Sequence, residues 1–254
     1  MRIWIFAGAA AILLAGAVSA VAQTSSSAPE NTARVAAPPA PEADSGDWAS
    51  AELAKRPWEW GAFFQGGLGI DSIGSRWNYT LLSSGVRLGK VITGEHLPGL
   101  LRGQFEYAGE LMPYWEALTP PPHRQLVTVA GQAPQLEAYG GGAYHGFSIT
   151  PIILRWDFQP HGRFAPWVQA AGGLIYTTHK FPPDVLVAQG TPGGTSVFNF
   201  TPQGGIGVQY FVRPHQSIML EASGIHISSS SLGDKNPGVN ESVQLQIGYT
   251  FWSR

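Results

Sequence analysis

From Trp58 to the C-terminus, polar and apolar residues alternate with a period of two. Leu101, Gly103, Phe105 and Tyr107 fall on one side of an extended chain, with Arg102, Gln104 and Glu106 on the other. Phe198, Phe200, Ile206, Val208 and Tyr210 oppose Asn199, Thr201, Gln203 and Gln209. Val243, Leu245, Ile247, Tyr249 and Phe251 oppose Ser242, Gln244, Gln246 and Thr250. The pattern predicts eight strands over 58–70, 79–93, 100–113, 144–158, 164–178, 196–211, 216–228 and 240–252. Each has about the length needed to cross a bilayer when tilted.

The connections between these strands alternate in length. Those after the second, fourth and sixth are short and rich in turn residues: Gly94 to Gly99, Gln159 to Arg163, and Arg213-Pro214-His215. Those after the third, fifth and seventh are longer; the longest, about 114–142, contains Pro120-Pro121-Pro122. Short turns at one end and long loops at the other predict an all-β, eight-stranded antiparallel outer-membrane β-barrel with both chain ends periplasmic. The apolar faces then point outward to lipid. The closing Tyr249, Phe251 and Trp252 would form part of an aromatic girdle. The competing fold is a secreted lipocalin-like barrel. Arg87, Arg102, Glu106 and Glu221 at lumen positions count against it, because that lumen is usually apolar.

Composition supports the membrane reading. The chain has 254 residues, only 13% of them charged, with 32 Gly, 9 Trp, 8 Tyr and 12 Phe. That charged fraction is about half the usual value for a soluble domain. A net charge of -2 gives no reason to expect nucleic acid as a partner. The absence of cysteine excludes a disulfide framework, a cysteine metal site and a lipid-modified N-terminal cysteine.

Two segments precede the barrel. Residues 1–22 read as a signal peptide. Arg2 is its basic start, Ile3 to Val18 its apolar run, and Ala20-Val21-Ala22 its cleavage site before Gln23. A retained anchor helix is disfavoured, because the run is short and no basic stop follows. Residues 23–56 are rich in Pro, Ala and Ser, with Pro38, Pro39 and Pro41 stiffening one part. Such a stretch predicts a disordered linker. The barrel is expected over 57–254.

One place on the predicted lipid face is chemically unusual. His226 and Ser228 lie two apart on the seventh strand, so their side chains share a face with Ile218, Leu220 and Ala222. Glu241 opens the eighth strand on the same face as Val243 and Leu245. A hydroxyl, an imidazole and a carboxylate are the parts of a nucleophilic triad. In that reading Ser228 attacks an ester, His226 takes its proton and Glu241 orients the ring. Polar residues at strand ends are also common at membrane interfaces. His96, His123, His161, His179 and His215 fall in predicted turns or loops without metal-ligand spacing.

The residues His226-Ile227-Ser228, Asn236-Pro237-Gly238-Val239-Asn240 and Ile247-Gly248-Tyr249-Thr250-Phe251 resemble the lipid A 3-O-deacylase (PagL-type, acyloxyacyl hydrolase) family. Ile149-Thr150-Pro151, Leu154-Arg155-Trp156 and Gly204-Gly205-Ile206-Gly207 add to the likeness, which covers most of 144–252. The resemblance implies an outer-membrane esterase. It would remove an ester-linked acyl chain from lipid A through a lipid-facing Ser/His/Glu triad, without metal or other cofactor. The implied partners are lipopolysaccharide and outer-membrane lipid, with a homodimer left open. The chain departs from the family at Ser229, where Asn usually follows the nucleophile. The oxyanion site would then fall to the Ser229 hydroxyl and the N–H groups of Ser229 and Ser230. Counting along the family pattern places Asn240 at the acid position, whereas period two places Glu241 there. The alternative to an enzyme is a non-catalytic barrel with a structural or adhesive role.

Overall fold

Backbone pairing decides the architecture. A strand in lipid has no water to satisfy its edge, so the sheet must close on itself. The computed structural model describes residues 46–70, 79–119, 123–127, 131, 133–139, 143–181, 196–230, 232 and 240–254. The strands are β1 (Trp58–Ile70), β2 (Thr80–Val91), β3 (Gly103–Leu118), β4 (His123–Val127), β5 (Gln135–Tyr139) and β6 (Ala143–Phe158). They continue as β7 (Phe164–Phe181), β8 (Ser196–Phe200), β9 (Gln203–Arg213), β10 (Gln216–Ile227) and β11 (Asn240–Ser253). The ring runs β1–β2–β3–β6–β7–β9–β10–β11 and closes back on β1, with antiparallel pairs throughout. β8 pairs with the outer part of β7 and leads into β9. The break falls at Pro202, which has no N–H for the ladder. Thr201 bridges it by exchanging backbone hydrogen bonds with Gly173 at 2.8 and 3.3 Å. With β8 and β9 counted as one stave, the barrel has the eight predicted.

Trp58 pairs with Ser253, so both ends of the barrel chain lie at the end bearing the short turns. β3 runs on to Leu118, past its expected end, and the long connection after it holds the separate β4–β5 hairpin.

The alternating burial is inverted relative to a soluble sheet. Phe64, Leu68, Leu88, Ile206, Leu245 and Ile247 are exposed on the outside. Inside, charges and amides fill the lumen. Arg87 reaches Glu59, and pairs with Glu106 and Glu110 at 3.0 Å each. Arg155 pairs with Glu59 at 3.3 Å and lies 3.9 Å from the Trp167 ring centroid. Gln169 donates to Glu221 at 2.9 Å. Apolar clusters close both ends, one of Tyr79, Leu81, Trp115, Phe181, Ile225 and Ile227 and the other including Val91, Ala165, Phe211 and Trp252. Gly207 marks how tight the filling is. A Cβ there would lie 2.3 Å from both the Leu220 carbonyl oxygen and the Trp167 ring.

Two expectations are corrected. Arg102 is not a lumen residue. It precedes β3 at the rim, half-exposed and paired with Glu95. Parity predicts the face of a residue within a strand, but Arg102 lies outside one. The 23–56 linker is also not wholly disordered, since Trp48–Leu53 form a short helix, α1. Its Ala49 and Leu53 pack into the rim cluster with Phe211 and Trp252. Ala49 donates to the Gly162 carbonyl at 3.1 Å, His215 pairs with Glu52 at 2.9 Å, and the Arg163 guanidinium lies over the Trp48 ring. Six residues cannot hold a helix alone, so this packing supplies its stability. The signal-peptide segment lies outside the described residues.

Candidate active site at the outer end of β10 and β11

β10 carries Ser217, Met219, Glu221, Ser223, Ile225 and Ile227 inward. Its other residues face out, and His226 is among them, half-buried. β11 turns Ser242, Gln244 and Gln246 inward and Val243, Leu245 and Ile247 outward. Glu241 belongs to the outward set and is half-buried. The register places His226 directly opposite Glu241. Opposed residues on one face of an antiparallel pair have Cβ atoms about 4.5–5.5 Å apart. Imidazole and carboxylate are therefore neighbours on the lipid-facing surface. Position 240 pairs with Ile227, whose side chain is buried.

Ser228 follows one residue beyond the β10 ladder. It leaves β11 and is held instead by β8. Phe200 N–H donates to the Ser228 carbonyl at 2.8 Å, and Ser228 N–H donates to Phe200 at 3.1 Å. His226 N–H donates to the Pro202 carbonyl at 3.0 Å. The break at Pro202 thus lets β8 swing over the end of β10 and fix the His-x-Ser segment. Ser228 is 7% exposed, less than its place on the outward face predicts. Among the described residues no hydrogen bond joins Ser228 to His226, and His226 Nδ1 is buried without a partner.

Beyond Ser228 the chain turns. Ser230 takes a left-handed φ of 56°, and Leu232 N–H closes the turn on the Ser229 carbonyl at 3.0 Å. Ser229 is fully buried, and its Oγ has no hydrogen-bond partner. Because the Ser228 N–H is spent on Phe200, it is not available to a substrate oxygen. The N–H groups of Ser229 and Ser230 make no backbone hydrogen bond among the described residues.

Periplasm-ward of His226 the outward positions of β10 carry small residues, Gly224 and Ala222. Gly224 pairs with Gly204, and a Cβ at Gly224 would meet nothing within 4 Å. An apolar trough of about 950 Å3 starts at the next outward position of β10, Ala222, and is lined also by Val168, Ile206, Val208, Leu220, Leu245 and Ile247. Sequence reasoning singled out neither the Phe200–Pro202 clamp nor this trough. The adjacent small residues Ala222 and Gly224 at outward positions were the available signal.

The other histidines are dispersed. His96 bridges to Gly103, His161 bonds the Gln159 carbonyl, and His215 holds Glu52. No group of three His, Cys, Asp or Glu among the described residues has metal-site geometry.

The model of the lipid A 3-O-deacylase (PagL) family matches residues 99–250. A search of curated sequences finds no match. Among solved structures, the outer membrane enzyme PagL aligns at 14% identity and a TM-score of 0.39, covering 76% of this chain and 98% of its own. The N-terminal β-barrel domain of Pseudomonas aeruginosa OprF aligns at 13% and 0.37, covering 77% and 98%. OprG from Pseudomonas aeruginosa aligns at 12% and 0.39, covering 77% and 95%. The family match spans well over half of the chain: this outer-membrane β-barrel belongs to the lipid A 3-O-deacylase family.

Proposed function

We propose that the protein is an outer-membrane esterase that removes an ester-linked acyl chain from lipid A, with Ser228 as nucleophile, His226 as base and Glu241 as the acid that orients it. The observation that carries this reading is the register pairing of His226 with Glu241 on the outward face, two strand positions from Ser228. A carboxylate and an imidazole facing hydrocarbon are costly unless they serve each other or a substrate. The unpartnered Nδ1 of His226 is where a triad carboxylate would bond. Such bonds are often long or misaligned until substrate is in place.

In the first step Ser228 Oγ adds to the ester carbonyl as its proton passes to His226. The carbonyl oxygen becomes an oxyanion, for which the N–H groups of Ser229 and Ser230 and the Ser229 hydroxyl are the donors at hand. Collapse of the tetrahedral intermediate breaks the ester C–O bond. His226 returns the proton to the departing sugar oxygen, leaving an acyl-serine. Water, activated by His226, then cleaves the acyl-serine, releasing a fatty acid and restoring the serine. The trough on the wall periplasm-ward of Gly224 crosses β7, β9, β10 and β11 at the level of Leu220 and Ala222. Because an acyl chain is already in hydrocarbon, the trough would align it rather than add hydrophobic affinity. Residues 1–22 would serve as the cleaved export signal.

The test is incubation of the purified barrel with lipopolysaccharide, with the lipid A read by mass spectrometry. Loss of one acyl chain by the wild type and none by Ser228→Ala is the expected result. Acyl loss that persists in Ser228→Ala overturns the nucleophile assignment. No loss by the wild type favours the structural or adhesive barrel.

A further inference from the structure

Across the ring from the candidate active site, β2, β3 and β6 enclose a second outward trough of about 610 Å3. Its floor is Gly109, and its walls are Leu88, Tyr107, Leu111, Ile149 and Pro151. The β3–β6 register shifts between Ala108 and Glu110, where Pro151 cannot donate to the ladder. Tyr107 secures that bulge by donating to the Pro151 carbonyl at 2.7 Å. A Cβ at Gly109 would have its nearest contact at 3.5 Å, so the floor is open because glycine leaves it open.

The periplasmic end of this trough is cationic. Lys90 pairs in register with Trp58 and lies 5.1 Å from its ring centroid. Lys90 Nζ donates to the Arg56 carbonyl at 2.7 Å. Arg56 is exposed, set beside Lys90 by a left-handed φ of 52° just after α1. The nearby acids are already taken. Glu59 is buried on Arg87 and Arg155, and Glu95 is held by Arg102. From Lys90 to Val86 the trough climbs four residues, about 13 Å along the strand. That is close to one leaflet of a hydrocarbon core about 30 Å thick.

We propose that this face binds an anionic phospholipid of the periplasmic leaflet, its phosphate at Lys90 and Arg56 and one acyl chain in the trough over Gly109. Apolar contact alone selects nothing in a bilayer, because every neighbour is apolar. The two cations supply the preference, at about fivefold each for a cation near an anionic surface. The site is independent of the esterase reading, since it shares no residue with it.

The experiment uses the folded barrel in micelles containing equimolar phosphatidylglycerol and phosphatidylethanolamine, with retained lipid identified by native mass spectrometry. Wild type is expected to retain phosphatidylglycerol at least fivefold over phosphatidylethanolamine, by the cation preference above. Lys90→Gln with Arg56→Gln should bring the ratio to about one. Gly109→Leu, which fills the floor, should lose both lipids. Heat-modifiable gel mobility reports that each variant is folded. Leu88→Trp narrows the same trough from its wall should Gly109→Leu fail to fold. No preference in the wild type, or full preference in the double glutamine variant, overturns the proposal. Undiminished retention when the trough is filled overturns its acyl arm.

Discussion

His226 and Glu241 sit opposite each other because both strands keep strict alternation up to their outer ends. This was legible in the sequence: parity alone separates Glu241 from its neighbour at 240. What parity could not give is the loss of Ser228 from the β11 ladder, since that depends on a break in the neighbouring stave, at Pro202. The residue-level prediction follows. Glu241→Ala should lower deacylation by about 10^4-fold, as loss of an orienting acid does, while Asn240→Ala should stay within about tenfold, a small fraction of that loss. Rates of fatty-acid release measure both. A large loss at 240 with none at 241 would move the acid assignment. In the lumen, Arg87 faces three carboxylates, and Arg87→Met would remove that cation. Arg155 remains beside Glu59 and Glu106, so Glu110 is the carboxylate left with no cation. The cost should be about 3–5 kcal/mol, read as a fall in the urea midpoint for unfolding from lipid. Glu59 was a missed partner, although Trp58-Glu59-Trp60 places one carboxylate between two outward aromatics and so marks it as inward.

At the level of elements, strands and turns were the readable part and α1 was not. The strands announce themselves by period two over a dozen residues or more. The short turns carry Pro, with Gly in two of the three, as in Gln159 to Arg163. Trp48–Leu53 has six residues and no side-chain cap, so nothing local specifies a helix. It forms because Ala49 and Leu53 close the rim over Phe211 and Trp252. Bulges were equally hidden, since the β2–β3 shift at Gly85 and the β3–β6 shift at Gly109 depend on what packs across the ring. If α1 is a plug and nothing more, a chain beginning at Pro57 should still fold and deacylate at the wild-type rate. Its stability should fall by at least the 1.5–3 kcal/mol or so that one buried leucine contributes. A falling deacylation rate at unchanged stability would instead connect this rim to the active site at the other end.

For the whole molecule, the decisive property is which face of the wall is apolar. In a soluble barrel the inner face would bury Leu, Ile and Val, and the outer face would meet water. Here the inner face buries Arg87, Arg155, Glu59 and Glu106, and the outer face presents Phe64, Leu245 and Ile247. The inversion makes the proposed surface enzyme geometrically possible, because Ser228 as nucleophile would stand on the side where a membrane-lipid substrate is. It also makes a sharp prediction. Phe64 is outward, half-exposed and at the middle of β1, opposite Ile247. Phe64→Arg should cost about 2–4 kcal/mol of unfolding free energy in vesicles, the value for arginine near the bilayer midplane. In water an exposed substitution of this kind changes stability by only about 0.5 kcal/mol. Unfolding titrations of the two proteins in the same vesicles separate these values. A change within that smaller range would mean that position 64 meets water. The outward His226–Glu241 pair would then face no lipid, and the esterase reading would lose its substrate along with its geometry.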